Sequence, residues 1–157
     1  MIRNYKNLQN IVDSNDDHDN PDDPIKLIIN SAGGDVYDGL ALIGFMSSCP
    51  LQIDTYAYGG RVMSMALPIY LMGANRISTK YTTFMHHPAA WGMDHSKIEI
   101  HKQELAEIER LEVMLNEIIL SKTKIDSKTL LKYQEINREW YIPAVQAKKL
   151  GIVTHLV

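Results

Sequence analysis

At 157 residues, 45% apolar and 22% charged, the chain has the size of one domain and the composition of a folded globular protein, not a disordered one. Its net charge of -3 offers no excess of Lys and Arg for phosphates, no apolar run approaches the roughly 20 residues of a membrane helix, and residues 1–24 lack the apolar core of a secretory signal; neither nucleic acid nor membrane is an expected partner. The single cysteine, Cys49, excludes an internal disulfide and a cysteine-built zinc site, and suits a reducing compartment, the cytoplasm or an organelle matrix.

Along the chain, Tyr5, Leu8, Ile11 and Val12 have the spacing of a short amphipathic helix, and the acidic run from Asp13 to Pro24 reads as a solvated loop. Asp13, Asn15 and Asp17 alternate as in a calcium loop, but His18 stands where that loop needs Gly and Pro24 where it needs Glu. Ile25–Asn30 is an apolar run with the look of a buried strand, followed by a turn at Ser31–Asp35. A helical face at 36, 39/40, 43 and 46 ends before Pro50, and Leu51–Tyr58 suits a strand closed by Gly59-Gly60. Ser64–Met72 reads as a short buried helix stopped by Gly73, with Arg76–Ser78 and Thr82–Met85 as short strands. Alternating strands and helices predict one α/β domain over 1–157 with a mainly parallel sheet.

The second half differs. From about Met93 to Lys122, Leu105, Ile108, Leu111, Leu115 and Ile118 recur at helical spacing. A helix there would run on the order of 45 Å, longer than the domain's own core needs, so it projects or packs against another chain. Ser127–Gln134 and Pro143–Leu150 are shorter helices, and Ile152–Val157 is a closing strand.

Three places could carry chemistry. Gly33-Gly34, between a strand and a helix, lets backbone N–H groups approach a bound atom, though no phosphate-binding glycine motif surrounds it. Ser64 sits at the mouth of an apolar helix, where free N–H groups suit an oxyanion; an N-cap is the plainer role. Met85-His86-His87-Pro88 ends an apolar strand with a possible general base. Neighbouring histidines on a strand point to opposite faces and do not chelate together, and His95 and His101, six apart, lie on different helix faces.

Five segments in order resemble the proteolytic subunit of the Clp protease (ClpP): Ile29–Gly34, Gly60–Met65, Phe84–Pro88, Lys97–His101 and Arg138–Tyr141, the last with Gln146-Ala147 and Gly151–Val153 downstream. The resemblance covers about Lys26 to Val157. It implies a crotonase-like α/β fold and a serine peptidase assembled as two stacked seven-membered rings around a chamber. It implies Ser64 as nucleophile and His86, two before Pro88, as base, with His87 where the family usually has glutamine. Glu139 stands at the third triad position, usually Asp. The Gly34 and Met65 N–H groups match the oxyanion hole, Arg138 a ring-to-ring contact, and the region of about 93–134 the handle that interlocks the rings. The partners it implies are polypeptide substrate and further copies of the chain, with no cofactor and no metal.

The sequence departs from the family pattern at Glu139, at Val62 and Met63 before the serine, and in slightly shifted spacings around Ser64. The family's N-terminal strand and pore-lining segment, part of the surface for a partner AAA+ ATPase, have no counterpart before Lys26; docking of an ATPase stays an open expectation. Two alternatives accompany the active peptidase: a structural subunit of the same fold with little activity, and an acyl-CoA enzyme of the wider crotonase group.

Overall fold

The structure is a computed structural model that describes residues 23–88, 98–135 and 139–157. The expected N-terminal helix and acidic loop, the start of the handle with His95, and Arg138 lie outside the described residues. In chain order the elements are β1 (Ile25–Ile28), α1 (Val36–Ser48), β2 (Ile53–Ala57), β3 (Gly60–Met63), α2 (Ala66–Leu71), β4 (Arg76–Ser78), β5 (Thr82–His86), α3 (Ile98–Lys122), α4 (Ser127–Glu135), β6 (Trp140–Pro143), α5 (Ala144–Lys149) and β7 (His155–Leu156).

The strands form two sheets. One is wholly parallel in the order β1-β2-β4-β7; the other, β3-β5-β6, pairs β3 and β5 parallel and β5 and β6 antiparallel. Gly59 and Gly60, both at positive φ, turn the chain from the first sheet into the second, and a bridge between Ser31 and Val62 joins the two. The sequence reading treats this glycine pair as punctuation and passes over β3 and β6. Both are only four residues long; one begins with Gly and the other ends in Pro, which masks the strand signal. The expected burial of the first strand is also corrected: among the described residues β1 is an edge strand paired with β2, and Ile28 is 64% exposed in the single chain.

The core lies where α2 is covered by β3, β5, β6 and the C-terminal segment. Val62, Leu67, Tyr70, Phe84, Ile142 and Ile152 are fully buried there. The Tyr70 ring lies 5.2 Å from that of Phe84, and its hydroxyl donates to the Ile77 carbonyl at 3.0 Å, so this aromatic is buried with its polar end satisfied. The closing strand is shorter than its sequence suggests: Ile152 and Val153 fill the core and only His155–Leu156 pair with β4.

Over its 25 described residues α3 buries only Leu111 and Ile119. Its C-terminal part packs against α2, while Ile98, Ile100 and Leu105 near its start stay exposed, as expected of a helix longer than its own core requires. Two ties fix it. Tyr37 of α1 donates to Glu107 at 2.8 Å, and Arg110 donates to the same carboxylate at 2.6 and 2.7 Å. At the far end, the Arg76 guanidinium donates to the carbonyls of Lys122, Gly151 and Ile152, so one β4 side chain gathers the end of α3 and the C-terminal segment. A planar five-donor group suits this multi-carbonyl clasp better than lysine would.

Candidate active site

The site forms where the two sheets meet. Ser31 pairs its backbone with Arg61 and Met63, which draws the Ser31–Gly34 turn against the end of β3. The approach is close: a Cβ on Gly33 would stand 2.6 Å from Ser64 Cβ and 2.9 Å from the Met63 carbonyl oxygen. Gly33 has φ +103, which glycine tolerates and other residues rarely do.

Ser64 follows β3 directly, at φ 52, and is the one non-glycine residue with positive φ among the described residues. This corrects the expectation that Ser64 caps the following helix: Met65 is the N-cap of α2, and Ser64 forms a left-handed turn before it. A serine held in this sparsely populated region is a form of strain that collects at functional sites. The Ser64 N–H donates to the Met85 carbonyl at 2.9 Å, which fixes the turn to β5. The N–H groups of Gly34 and Met65 have no hydrogen-bond partner among the described residues. They border the Gly33–Ser64 contact on either side, since the Met65 nitrogen lies 3.0 Å from the same Gly33 Cβ position.

The histidine pair divides as strand alternation requires. Thr82, Phe84 and His86 share the core face of β5, and His86 pairs with Trp140. Trp140 in turn stacks on Tyr133 with ring centroids 4.2 Å apart. The expected Ser64–His86 contact is therefore corrected: the imidazole against Ser64 is His87, with Nε2 at 2.8 Å from Oγ. The His87 Nδ1 faces the Pro88 carbonyl oxygen. A carbonyl only accepts, so Nδ1 carries the proton and Nε2 is left to accept from the Ser64 hydroxyl. His86 is buried, and its Nε2 has no partner among the described residues.

Glu139 is exposed just before β6, and its carboxylate accepts from the Tyr141 hydroxyl; it bonds neither histidine in this conformation. The β5–β6 register runs from Thr83↔Pro143 to His86↔Trp140, and one further step places Glu139 across from His87. The sequence reading misses Tyr141 and the His87–Pro88 contact. The alternation along β5 predicts that the two histidines diverge, but which of them meets Ser64 follows only from the β3–β5 register.

A family model for the Clp protease matches residues 15–157. The chain belongs to the Clp protease family. It is 32% identical over 148 residues to the ATP-dependent Clp protease proteolytic subunit of Bdellovibrio bacteriovorus, an alignment covering 88% of this chain and 66% of that protein. The chain thus spans about two thirds of the length of this curated relative. Among solved structures, an asparagine-to-aspartate mutant of ClpP1 from Listeria monocytogenes is similar with a TM-score of 0.74 and 28% identity, over 87% of this chain and 74% of that one. The fold is accordingly the α/β ClpP fold with a mainly parallel sheet, as expected.

Within this ClpP fold His86 has a measurable consequence. Burial, and then the nearby His87, push its pKa down to about 4. An unfolded histidine titrates near 6.5, so between about pH 6.5 and 4 the unfolded chain holds a proton that the folded chain does not. Stability from this residue is present above that window and is lost as pH falls through it, by up to about 3 kcal/mol. Denaturant unfolding at pH 7 and pH 4.5 checks it: His86→Asn should lose about 2 kcal/mol less than the parent on acidification. An equal loss in both would refute the assignment.

Proposed function

We propose that this chain is the subunit of a serine endopeptidase that works as a self-compartmentalised ring and cleaves peptide bonds in unfolded polypeptides. Ser64 is the nucleophile and an imidazole of the His86–His87 pair is its base. The observation that carries this reading is a histidine nitrogen 2.8 Å from the hydroxyl of a serine held on a left-handed turn. A serine hydroxyl is a poor nucleophile until such a base takes its proton. Oγ then attacks the scissile carbonyl, and the Gly34 and Met65 N–H groups meet the developing oxyanion, each worth roughly 3–4 kcal/mol of barrier. The imidazolium returns its proton to the leaving amine, and water clears the acyl-enzyme by the same route. The Glu139 carboxylate becomes the orienting third member on exchanging its bond with Tyr141. No step requires a cofactor or a metal.

Ring assembly draws support from α3, whose exposed Ile98, Ile100, Leu105 and Val113 lack cover in the single chain. The Bdellovibrio relative is named as ATP-dependent, which makes an AAA+ ATPase the partner class to test in a reducing, cytoplasm-like compartment. A structural subunit of low activity is the second reading, favoured by the Glu139 carboxylate being held by Tyr141 and not by an imidazole. Labelling the assembled protein with a fluorophosphonate probe, beside a Ser64→Ala control, separates the two. Labelling that disappears in the control is expected. An assembled, folded protein that takes no label would favour the structural subunit.

A further inference from the structure

Gly39 lies in the first turn of α1 and is buried. A glycine there costs a helix about 1 kcal/mol against alanine, so its presence asks for a reason. The space explains it. A Cβ at position 39 would stand 2.3 Å from Met65 Cγ, 2.5 Å from Cε and 2.9 Å from Sδ. The whole Met65 side chain rests on the bare backbone of α1, and Met65 is only 4% exposed. Because Cγ is close to the main chain, an added methyl group could not be cleared by moving the tip of Met65 alone.

Two backbone donors lie close along the chain to the two sides of this contact. The Met65 N–H follows Ser64 directly. The Gly34 N–H stands one residue before Asp35, whose carboxylate caps α1 by accepting from the Tyr37 and Asp38 N–H groups. The Gly39 N–H donates to the Asp35 carbonyl at 3.1 Å. One helix turn therefore holds the Gly34 end and seats the Met65 end. We propose that Gly39 is a positioning residue for the oxyanion hole: its bare backbone seats the Met65 side chain and so sets the spacing of the Gly34 and Met65 N–H groups around Ser64. This rests on the serine-peptidase reading above.

Misplacement near 1 Å can cost about a hundredfold in rate. Gly39→Ala should lower kcat on a fluorogenic peptide by about tenfold or more, with KM within about twofold, because the donors act on the tetrahedral oxyanion more than on bound substrate. Met65→Ala keeps the N–H and loses the seat, so it should lose kcat in part. The double variant Gly39→Ala/Met65→Ala removes the collision and should be no slower than Met65→Ala alone, a non-additive cycle. Additive losses, or a Gly39→Ala enzyme with unchanged kcat, would overturn the proposal. If Gly39→Ala does not fold, the double variant against Met65→Ala still decides: a double variant slower than Met65→Ala overturns it. Parent hydrolysis that survives Ser64→Ala would instead mark failure of the serine-peptidase reading itself.

Discussion

Asparagine at His86 should lower peptide hydrolysis by the assembled protein about a thousandfold or more, whereas glutamine at His87 should cost less than tenfold. In the structure Ser64 meets His87 and not His86; three considerations nevertheless motivate the expectation that His86 is the working base. Its Nε2 is buried and has no partner among the described residues, and buried polar nitrogens are seldom left so without a use. With its pKa pushed down to about 4 it is neutral at pH 7, the form that accepts a proton; a carboxylate brought to its other nitrogen would raise that value toward the working range. His86 is also the residue two before Pro88, where the Clp protease resemblance puts the base. His87 holds its Nδ1 against a neutral carbonyl, which fixes the tautomer but gives the imidazolium less support than a carboxylate. If His86 is the base, the Ser64–His87 bond is a resting contact, and the imidazole of His86 must come round to Ser64 before catalysis. Kinetics of the two variants, with assembly confirmed for each, decide the point. A reversed pattern would give the base role to His87 with the Pro88 carbonyl as its orienter, leaving Ser64 as nucleophile.

The sequence carried the fold further than it carried the contacts of the site. Alternating apolar runs and glycine breaks place β1, α1, β2, α2, β4 and β5 to within a few residues, because each is an apolar segment bounded by turn signals, though β1 itself buries no residue. β3 and β6 escape because four residues beginning in Gly or ending in Pro leave too short a pattern. The same β3 decides how Ser64 is held. A helix N-cap and a left-handed turn after a strand both favour a small polar residue, and only the pairing of Ser31 with Arg61 and Met63 makes the turn necessary. The histidines show the other limit. Alternation on β5 predicts that His86 and His87 diverge, but which face meets Ser64 depends on the β3–β5 register, Met63 beside Met85, and no local pattern encodes that. Glu139 is legible as a candidate, yet its bond to Tyr141 arises from a strand whose existence the sequence hides.

Alanine at Gly33 should damage both the fold and the site. The backbone conformation at φ +103 is one that a side chain resists at about 1–3 kcal/mol. The new Cβ would also fall 2.6 Å from Ser64 Cβ and 2.9 Å from the Met63 carbonyl oxygen. None of those atoms is the tip of a flexible chain, so relief requires moving the turn, and Gly34 with it, away from β3 and Ser64. The expected result is a loss of about 3 kcal/mol or more in unfolding free energy and at least about a hundredfold in hydrolysis. Gly34→Ala is the matched control. Its Cβ would meet nothing within 4 Å and its φ is not positive, so its stability should stay within about 0.5 kcal/mol of the parent. Denaturant melts of the two variants side by side read the difference. Equal stabilities would mean that the Ser31–Gly34 turn yields without cost, and that the close approach of the two sheets is not what fixes the serine.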